Sequence, residues 1–425
     1  MKREFEGKKL LVLGGITLAC DIVRQAQKMG AYVIVADYNE DSPAKAIADQ
    51  AELINAVEVD AIVDFCKKEK VDGVTTGFID ILMPVCYEVC KRLGLPYYAT
   101  EKMLSMATNK IDFKETCEKF GVPVPKTYVL GNRIPEEVFE SIEYPVFVKP
   151  LDASGSRGAG VCYDKQQLIA QFADALSFSA TKNAIVEDYI TGKEFLLDYI
   201  GVNGEFRLFS MFDRYVCSDR SSAINYSNVC LAPAAEIDYY LESINEKVIN
   251  MFKQIGFKDG LIFLQGHTNG KKVTFYEMGS RLGGSFYNLQ RACVGRDALE
   301  MTVRYALTGK MVNDIENLPV DIAKYEKTAM VCNFLLDGYD ETIARIDGID
   351  KIAEMPSCVA YIQRQKVGDS YKKDRTVDKP VLSTYFACES REEAKSVLKQ
   401  VNDVFAVTNP EGKSLLKEKY DPNNL

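Results

Sequence analysis

The chain has 425 residues, 47% of them hydrophobic and 27% charged, and a formal net charge of −9. That length exceeds one ordinary core and predicts two or three domains. The acidic balance excludes a general nucleic-acid binder, whose affinity comes from basic side chains facing phosphates, and it argues equally against docking on an acidic membrane surface.

Residues 10–13 form a short apolar run ending in Gly14-Gly15. The run is too short for a signal-peptide core, and no stretch of eighteen apolar residues occurs, so no transmembrane helix is expected. Ala19, Ile22, Val23 and Ala26 then share one helical face, with Gly30 as a stop. Residues 32–36 read as a second strand ending at Asp37, 57–70 as a helix and 71–75 as a third strand. This rhythm predicts a parallel sheet covered by helices over residues 1–100. Gly14-Gly15 is followed by Ile-Thr-Leu-Ala, so the dinucleotide fingerprint G-x-G-x-x-G is not met. The glycine pair reads as a tight turn into a helix.

From about residue 101 the texture changes. One helix is expected over 101–120, stopped by Gly121, and Val122-Pro-Val-Pro-Lys is a linker. Strands are predicted over 144–149, 184–187, 194–202 and 205–216, and a helix over 238–255. Two further strands, 261–267 and 272–278, flank the hairpin signal Thr268-Asn269-Gly270. Beyond a helix ending near Gly309, short strands at 329–336, 360–365 and 381–387 and a helix at 390–402 predict a small closing domain over 320–425. Twelve cysteines without a C-x-x-C pair read as reduced thiols of a cytoplasmic protein. The single histidine, His267, leaves no His-rich metal site.

Three stretches carry residues suited to a polyphosphate. Lys149 ends a predicted strand in Val-Phe-Val-Lys-Pro, and five residues on comes the loop Ala-Ser-Gly-Ser-Arg-Gly-Ala-Gly. There Gly155, Gly158 and Gly160 let backbone approach phosphates, and Ser154 and Ser156 add hydroxyl donors. The same loop also reads as a flexible surface segment, and it is not a Walker P-loop. Next, Glu187 and Glu194 flank the turn Thr191-Gly192. Third, Phe-Tyr-Glu-Met-Gly-Ser-Arg-Leu-Gly-Gly places Glu277 in an apolar strand, where a carboxylate needs a partner such as a metal ion, and places Arg281 four residues later. A guanidinium fork suits a phosphate or a carboxylate; a plain Glu–Arg ion pair is the alternative.

Taken in order, a lysine, a strand lysine, a Gly/Ser loop, paired acids and E-x-x-x-R-x-G-G closely resemble the ATP-grasp superfamily, over nearly the whole chain. The stretch from Asp37 to Ala44 and the Ala48-Asp49 pair look like the pre-ATP-grasp domain of biotin carboxylase and of purine-pathway ATP-grasp enzymes. The Glu-Met-Gly-Ser-Arg form is closest to the L-amino acid ligases and other carboxylate–amine ligases. The resemblance implies an α/β ATP-grasp fold with a parallel-sheet pre-ATP-grasp domain (1–100), an ATP-grasp domain (101–319, with a mobile subdomain at about 121–188) and a small α+β C-terminal domain (320–425). It implies ATP and Mg2+ as cofactors, small-molecule carboxylate and amine substrates, and a homodimer through the N-terminal domain.

Residue by residue, the resemblance implies that Lys110 binds the α-phosphate, that Lys149 is the second phosphate lysine, and that residues 154–160 cover the β- and γ-phosphates. Glu187, Tyr189 and Ile190 look like the adenine hinge, with Glu194 on the ribose. Glu277 looks like a magnesium ligand and Arg281 like the residue facing the acyl phosphate; Ser285 is a substrate candidate. Two positions depart from the pattern: Gln265 stands where an acid is usual, and Gly279 where Asn or an acid is usual. Gln265 is expected to offer a carbonyl oxygen instead. Asp213 and Arg214 are a further candidate substrate pair, an ordinary strand-end salt bridge being the alternative. A three-residue hairpin loop over 269–271 with a bulge is predicted, because it puts Glu277 and Gln265 on one sheet face. A bicarbonate-using carboxylase and a nucleotide-binding protein without catalysis are the rival readings.

Overall fold

The computed structural model describes residues 3–152, 157–217, 227–312, 322–337, 340–370 and 380–425. Strands β1 (Lys9–Leu13), β2 (Tyr32–Ala36), β3 (Gln50–Glu52) and β4 (Gly73–Thr75) form a parallel sheet in the order β3-β2-β1-β4. Residues 10–13 are all buried, as expected of a strand covered on both faces. Helices α1 (Ala19–Met29), α2 (Val59–Glu69) and α3 (Met83–Leu93) supply that cover. The short β3 carries no apolar run and was not legible in advance. Asp37 closes the Gly14-Gly15 turn: its Oδ2 accepts from Gly15 N at 2.6 Å.

The single helix expected over 101–120 is two, α4 (Glu101–Thr108) and α5 (Lys110–Lys119). Asn109 breaks it: its extended backbone ends α4, and its side chain accepts from the Ile111 and Asp112 N–H groups to cap α5. Four strands then form a second, antiparallel sheet, ordered β5-β8-β6-β7, from β5 (Thr127–Gly131), β6 (Val146–Pro150), β7 (Gly160–Cys162) and β8 (Ala184–Asp188). Helix α6 (Lys165–Phe178) packs on it.

The largest sheet has eight strands. Its first members are β9 (Lys193–Val202), β10 (Glu205–Tyr215) and β11 (Val229–Ala232). Helices α7 (Ile237–Ser243) and α8 (Asn245–Gln254) replace the one helix expected over 238–255, and the hairpin β12 (Gly260–Thr268) and β13 (Val273–Gly279) follows. After α9 (Tyr287–Val294) and α10 (Ala298–Thr308) come β14 (Thr328–Phe334), β15 (Arg345–Asp347), α11 (Ile349–Ala353), β16 (Cys358–Gln363), β17 (Leu382–Cys388), α12 (Arg391–Val404) and β18 (Ala406–Thr408). The sheet order is β13-β12-β9-β10-β11-β14-β17-β16. The C-terminal strands expected in a small closing domain pair with the central sheet through β11–β14, while α12 and β18 close a core of their own. No described helix is long and apolar enough to cross a membrane.

Phe252 of α8 is fully buried and meets the rings of Tyr199, Phe206 and Phe257 at centroid distances of 5.2–5.6 Å. Phe252→Ala is expected to cost about 3–5 kcal/mol through the cavity it leaves, read as a shift in the urea midpoint.

Candidate active site

The site lies where the three sheets meet, and each contributes a charge. Lys149 stands on β6, and its Nζ reaches Glu187 Oε1 on the adjacent β8 at 2.5 Å. Lys114, one turn after Lys110 on α5, reaches the other oxygen of Glu187 at 2.7 Å. Glu187 is 2% exposed. Burial raises its pKa, but Lys149 and Lys114 outweigh burial and hold it below the ordinary glutamate value. Lys110 donates from Nζ to Leu151 O at 3.1 Å, just beyond β6. Its pKa is lowered by burial and by the neighbouring Lys149, against the pull of Glu277 and Glu187.

The β12–β13 hairpin sets the opposite wall. Its loop spans four residues, 269–272, not the three expected, because Thr268 pairs with Val273. A bulge corrects the register: Gly266 pairs with Phe275, but Gln265 pairs with Glu277, leaving Tyr276 as the extra residue. Gln265 and Glu277 therefore stand directly opposite one another on one face. Tyr276 leans to the same side, its hydroxyl donating to Gln265 Oε1 at 3.3 Å and to Glu194. Solvent reaches Glu277, yet the cleft walls crowd it. This desolvation raises its pKa, while Lys110, Arg281 and Lys149 oppose the rise. Three cations from three different elements thus bear on one carboxylate.

Glu194 sits on the same face of β9, and its Oε1 accepts from Tyr276 and from Arg214 at 2.5 Å. Asp213 does not join Arg214 there. Adjacent strand residues face opposite ways, and Asp213 is fully buried behind the sheet, accepting from Ala235 N at 2.9 Å. The expected substrate pair is therefore corrected to a Glu194–Arg214 contact in the cleft and a separate buried aspartate. The side chain of Tyr189 is 40% exposed in the strand-to-strand connection from β8 to β9 that also carries Ile190. Gly158 adopts φ +70°, and Ser154, Gly155 and Ser156 lie outside the described residues.

Arg281 is gripped by a residue the sequence reading missed. Asp80, just past the carboxyl end of β4, takes it in a bidentate pair, Nε to Oδ1 at 2.5 Å and Nη2 to Oδ2 at 2.8 Å. The guanidinium also lies 4.9 Å over the Phe263 ring. That ring explains Gly279: a Cβ there would stand 2.0 Å from it. Where a second metal ligand is usual, this chain carries an aromatic platform for Arg281. Ser285 is buried beside Tyr287, whose hydroxyl bonds Asp21 of α1.

Like Lys114, Asp198 in the middle of β9 is another residue passed over. It is 6% exposed, accepts from Ser210 Oγ at 2.6 Å, and is pushed up to about 7 by burial, against the pull of Ser210 and Arg281. The missed residues each left a signal. Lys114 follows Lys110 at i,i+4 spacing. Asp80 follows a parallel strand at its carboxyl end, where such sheets bind ligands. Asp198 is a lone acid in Phe-Leu-Leu-Asp-Tyr-Ile-Gly-Val.

Residues 114–260 match the family model of the D-ala D-ala ligase C-terminus, and residues 10–87 match that of the PylC-like N-terminal domain. A formate-dependent phosphoribosylglycinamide formyltransferase of Sulfurisphaera tokodaii is 31% identical over 193 residues, which are 44% of this chain and 48% of that protein. The match thus spans about half the length of that curated relative. Among solved structures, an L-amino acid ligase from Bacillus licheniformis superposes with a TM-score of 0.77 at 17% identity, over 96% of this chain and 100% of that one. The biotin carboxylase domain of Hydrogenobacter thermophilus 2-oxoglutarate carboxylase, solved with magnesium ADP and bicarbonate, gives 0.75 at 18% identity, over 96% and 91%. The fold is the ATP-grasp fold, with a parallel-sheet N-terminal unit and antiparallel sheets beyond it.

Two substitutions test this geometry. Gly279→Asn is expected to lower the melting temperature instead of adding a ligand, because the side chain must displace Phe263 from beneath Arg281. Asp198→Asn is expected to stabilise the fold. A carboxylate whose folded pKa is raised contributes stability at low pH that is lost as pH rises through about 7. The variant's advantage in melting temperature should therefore widen from about pH 5 to about pH 8, toward a ceiling on the order of 4 kcal/mol.

Proposed function

We propose that this chain, an ATP-grasp protein by fold, is an ATP-dependent carboxylate–amine ligase working through an acyl phosphate. One observation carries the reading: Lys110, Lys149 and Arg281, from three separate elements, all bear on Glu277. A triphosphate undergoing transfer needs that density of positive charge beside one metal-binding carboxylate. The formate dependence of the Sulfurisphaera tokodaii relative and the similarity to an L-amino acid ligase support the same reading.

Among the described residues there is no group of three or more His, Cys, Asp or Glu side chains suited to a metal. What stands in the cleft is one carboxylate, Glu277, directly across from one amide oxygen, that of Gln265. Magnesium is commonly held by one or two carboxylates while phosphates and water complete its shell, so this set fits an ion that arrives on the nucleotide. Bound there, it would offset phosphate charge.

In the first step the substrate carboxylate attacks the γ-phosphorus of ATP and ADP leaves. Lys110 and Lys149 neutralise the phosphates, and Glu187 holds Lys149 in place on a rigid strand. Glu194 presents its second oxygen to the ribose hydroxyls, its first being taken by Arg214 and Tyr276. Arg281, aimed by Asp80, stabilises charge on the acyl phosphate. An amine then attacks the acyl carbon and phosphate departs. The twelve cysteines are all unpaired, in keeping with a reducing cytoplasmic setting.

The test is release of ADP and phosphate with Mg-ATP against amino acids, dicarboxylates, formate and bicarbonate. Release is expected to require a carboxylate and an amine together, and to fall about 10²-fold or more in Lys149→Ala. Release driven by bicarbonate without an amine would move the chain to the carboxylase class. ATP binding with no release under any condition would reject catalysis.

A further inference from the structure

The steps above leave one polar cluster unused. Asp198 Oδ2 accepts from Ser210 Oγ at 2.6 Å and, more distantly, from Gln290 Nε2 at 3.4 Å. Its Oδ1 lies against Gly283, where a Cβ would stand only 2.5 Å away. Among the described residues no lysine, arginine or histidine forms an ion pair with it, and nearby Arg281 is turned to Asp80. Gln290 is 3% exposed, and among the described residues its Oε1 has no hydrogen-bond partner. A buried acceptor without a donor, beside a buried carboxylate without an ion pair, costs free energy, and folds keep such groups where a ligand completes them.

These two side chains line a small pocket of about 10 Å³ whose wall also includes Arg281, Gly284 and Phe286. It has room for a group about the size of a water molecule. A primary ammonium has that size, three donors and no acceptor.

We propose that Asp198 and Gln290 bind the ammonium head of the amine substrate, and that Asp198 takes the proton whose loss frees the lone pair. The assignment rests on the carboxylate–amine ligase reading. The amine nitrogen then forms its bond to the acyl carbon. The acyl carbon–oxygen bond to phosphate breaks, and a second nitrogen proton leaves with the phosphate as hydrogen phosphate. The proton on Asp198 returns to solvent. Acyl phosphate and ammonium thus give amide, hydrogen phosphate and one proton. Arg281 and Asp198 hold opposite charges in one cavity, one suited to the acyl phosphate and the other to its attacker. Burial of the carboxylate, which raises its proton affinity, lets it accept and return a proton near neutrality.

Hydroxylamine, uncharged near neutral pH, attacks acyl phosphates without a base and gives a hydroxamate. Asp198→Asn is therefore expected to raise the ratio of hydroxamate formed with hydroxylamine to amide formed with methylamine by about 10²-fold, with the loss in kcat/KM for the amine. An unchanged ratio would overturn the assignment. Binding is read separately by saturation-transfer NMR with methylammonium chloride. Transfer is expected in the wild type and absent in Asp198→Asn; no transfer in the wild type, or equal transfer in both, rejects the site. Gln290→Met, which keeps the side-chain volume, is expected to weaken the same transfer, and it serves if Asp198→Asn fails to fold. Absence of hydroxamate from the wild type with every carboxylate sinks the ligase reading alone. The methylammonium measurement then still decides whether Asp198 and Gln290 hold a cation.

Discussion

A buried glutamate held by two lysines ties the cleft together. Glu187 on β8 accepts from Lys149 on β6 and from Lys114 on α5, so one carboxylate joins the second sheet to the helix beneath it. A carboxylate this buried is unfavourable alone, and its pKa is depressed only because two cations outweigh desolvation. Two lysines against one carboxylate leave a net positive charge, and Lys110 adds to it. An anionic ligand suits such a site better than any further side chain would.

The opposite wall depends on a register correction. A four-residue loop alone would leave Gln265 opposite Tyr276, and the bulge brings Glu277 there as well. The bulge thus puts two polar side chains, Tyr276 and Glu277, on one face across from the single position Gln265. Next to them, Gly279 leaves room for the Phe263 ring on which Arg281 rests.

Arg281 and Asp198 show how one cavity separates charge. Arg281 is oriented across the boundary between two sheets by Asp80, while Asp198 accepts from Ser210 and forms no ion pair among the described residues. A neutral asparagine at position 198 would be easier to bury. Keeping an acid there sacrifices stability, as buried reactive groups commonly do.

Much of this architecture was readable in the sequence. The apolar run 10–13, the Gly30 stop and the β12–β13 hairpin are local patterns, and local patterns need only period and turn chemistry. The order of Lys110, Lys149, Glu187, Glu194, Glu277 and Arg281 was likewise visible, because those residues lie in sharply marked motifs. Pairing between distant segments was not. That Asp80 meets Arg281 across 201 residues, that Lys114 shares Glu187 with Lys149, and that Asp213 turns its back on Arg214 follow from which sheets abut and which face each strand presents. A bulge in this hairpin was expected, but its place at Tyr276, like the split at Asn109, is a one-residue irregularity that hydropathy cannot register. The sequence by itself determined the elements and the charges they carry. Only the packing of three sheets decided which charges meet, because contact across hundreds of residues is set by topology and not by spacing along the chain.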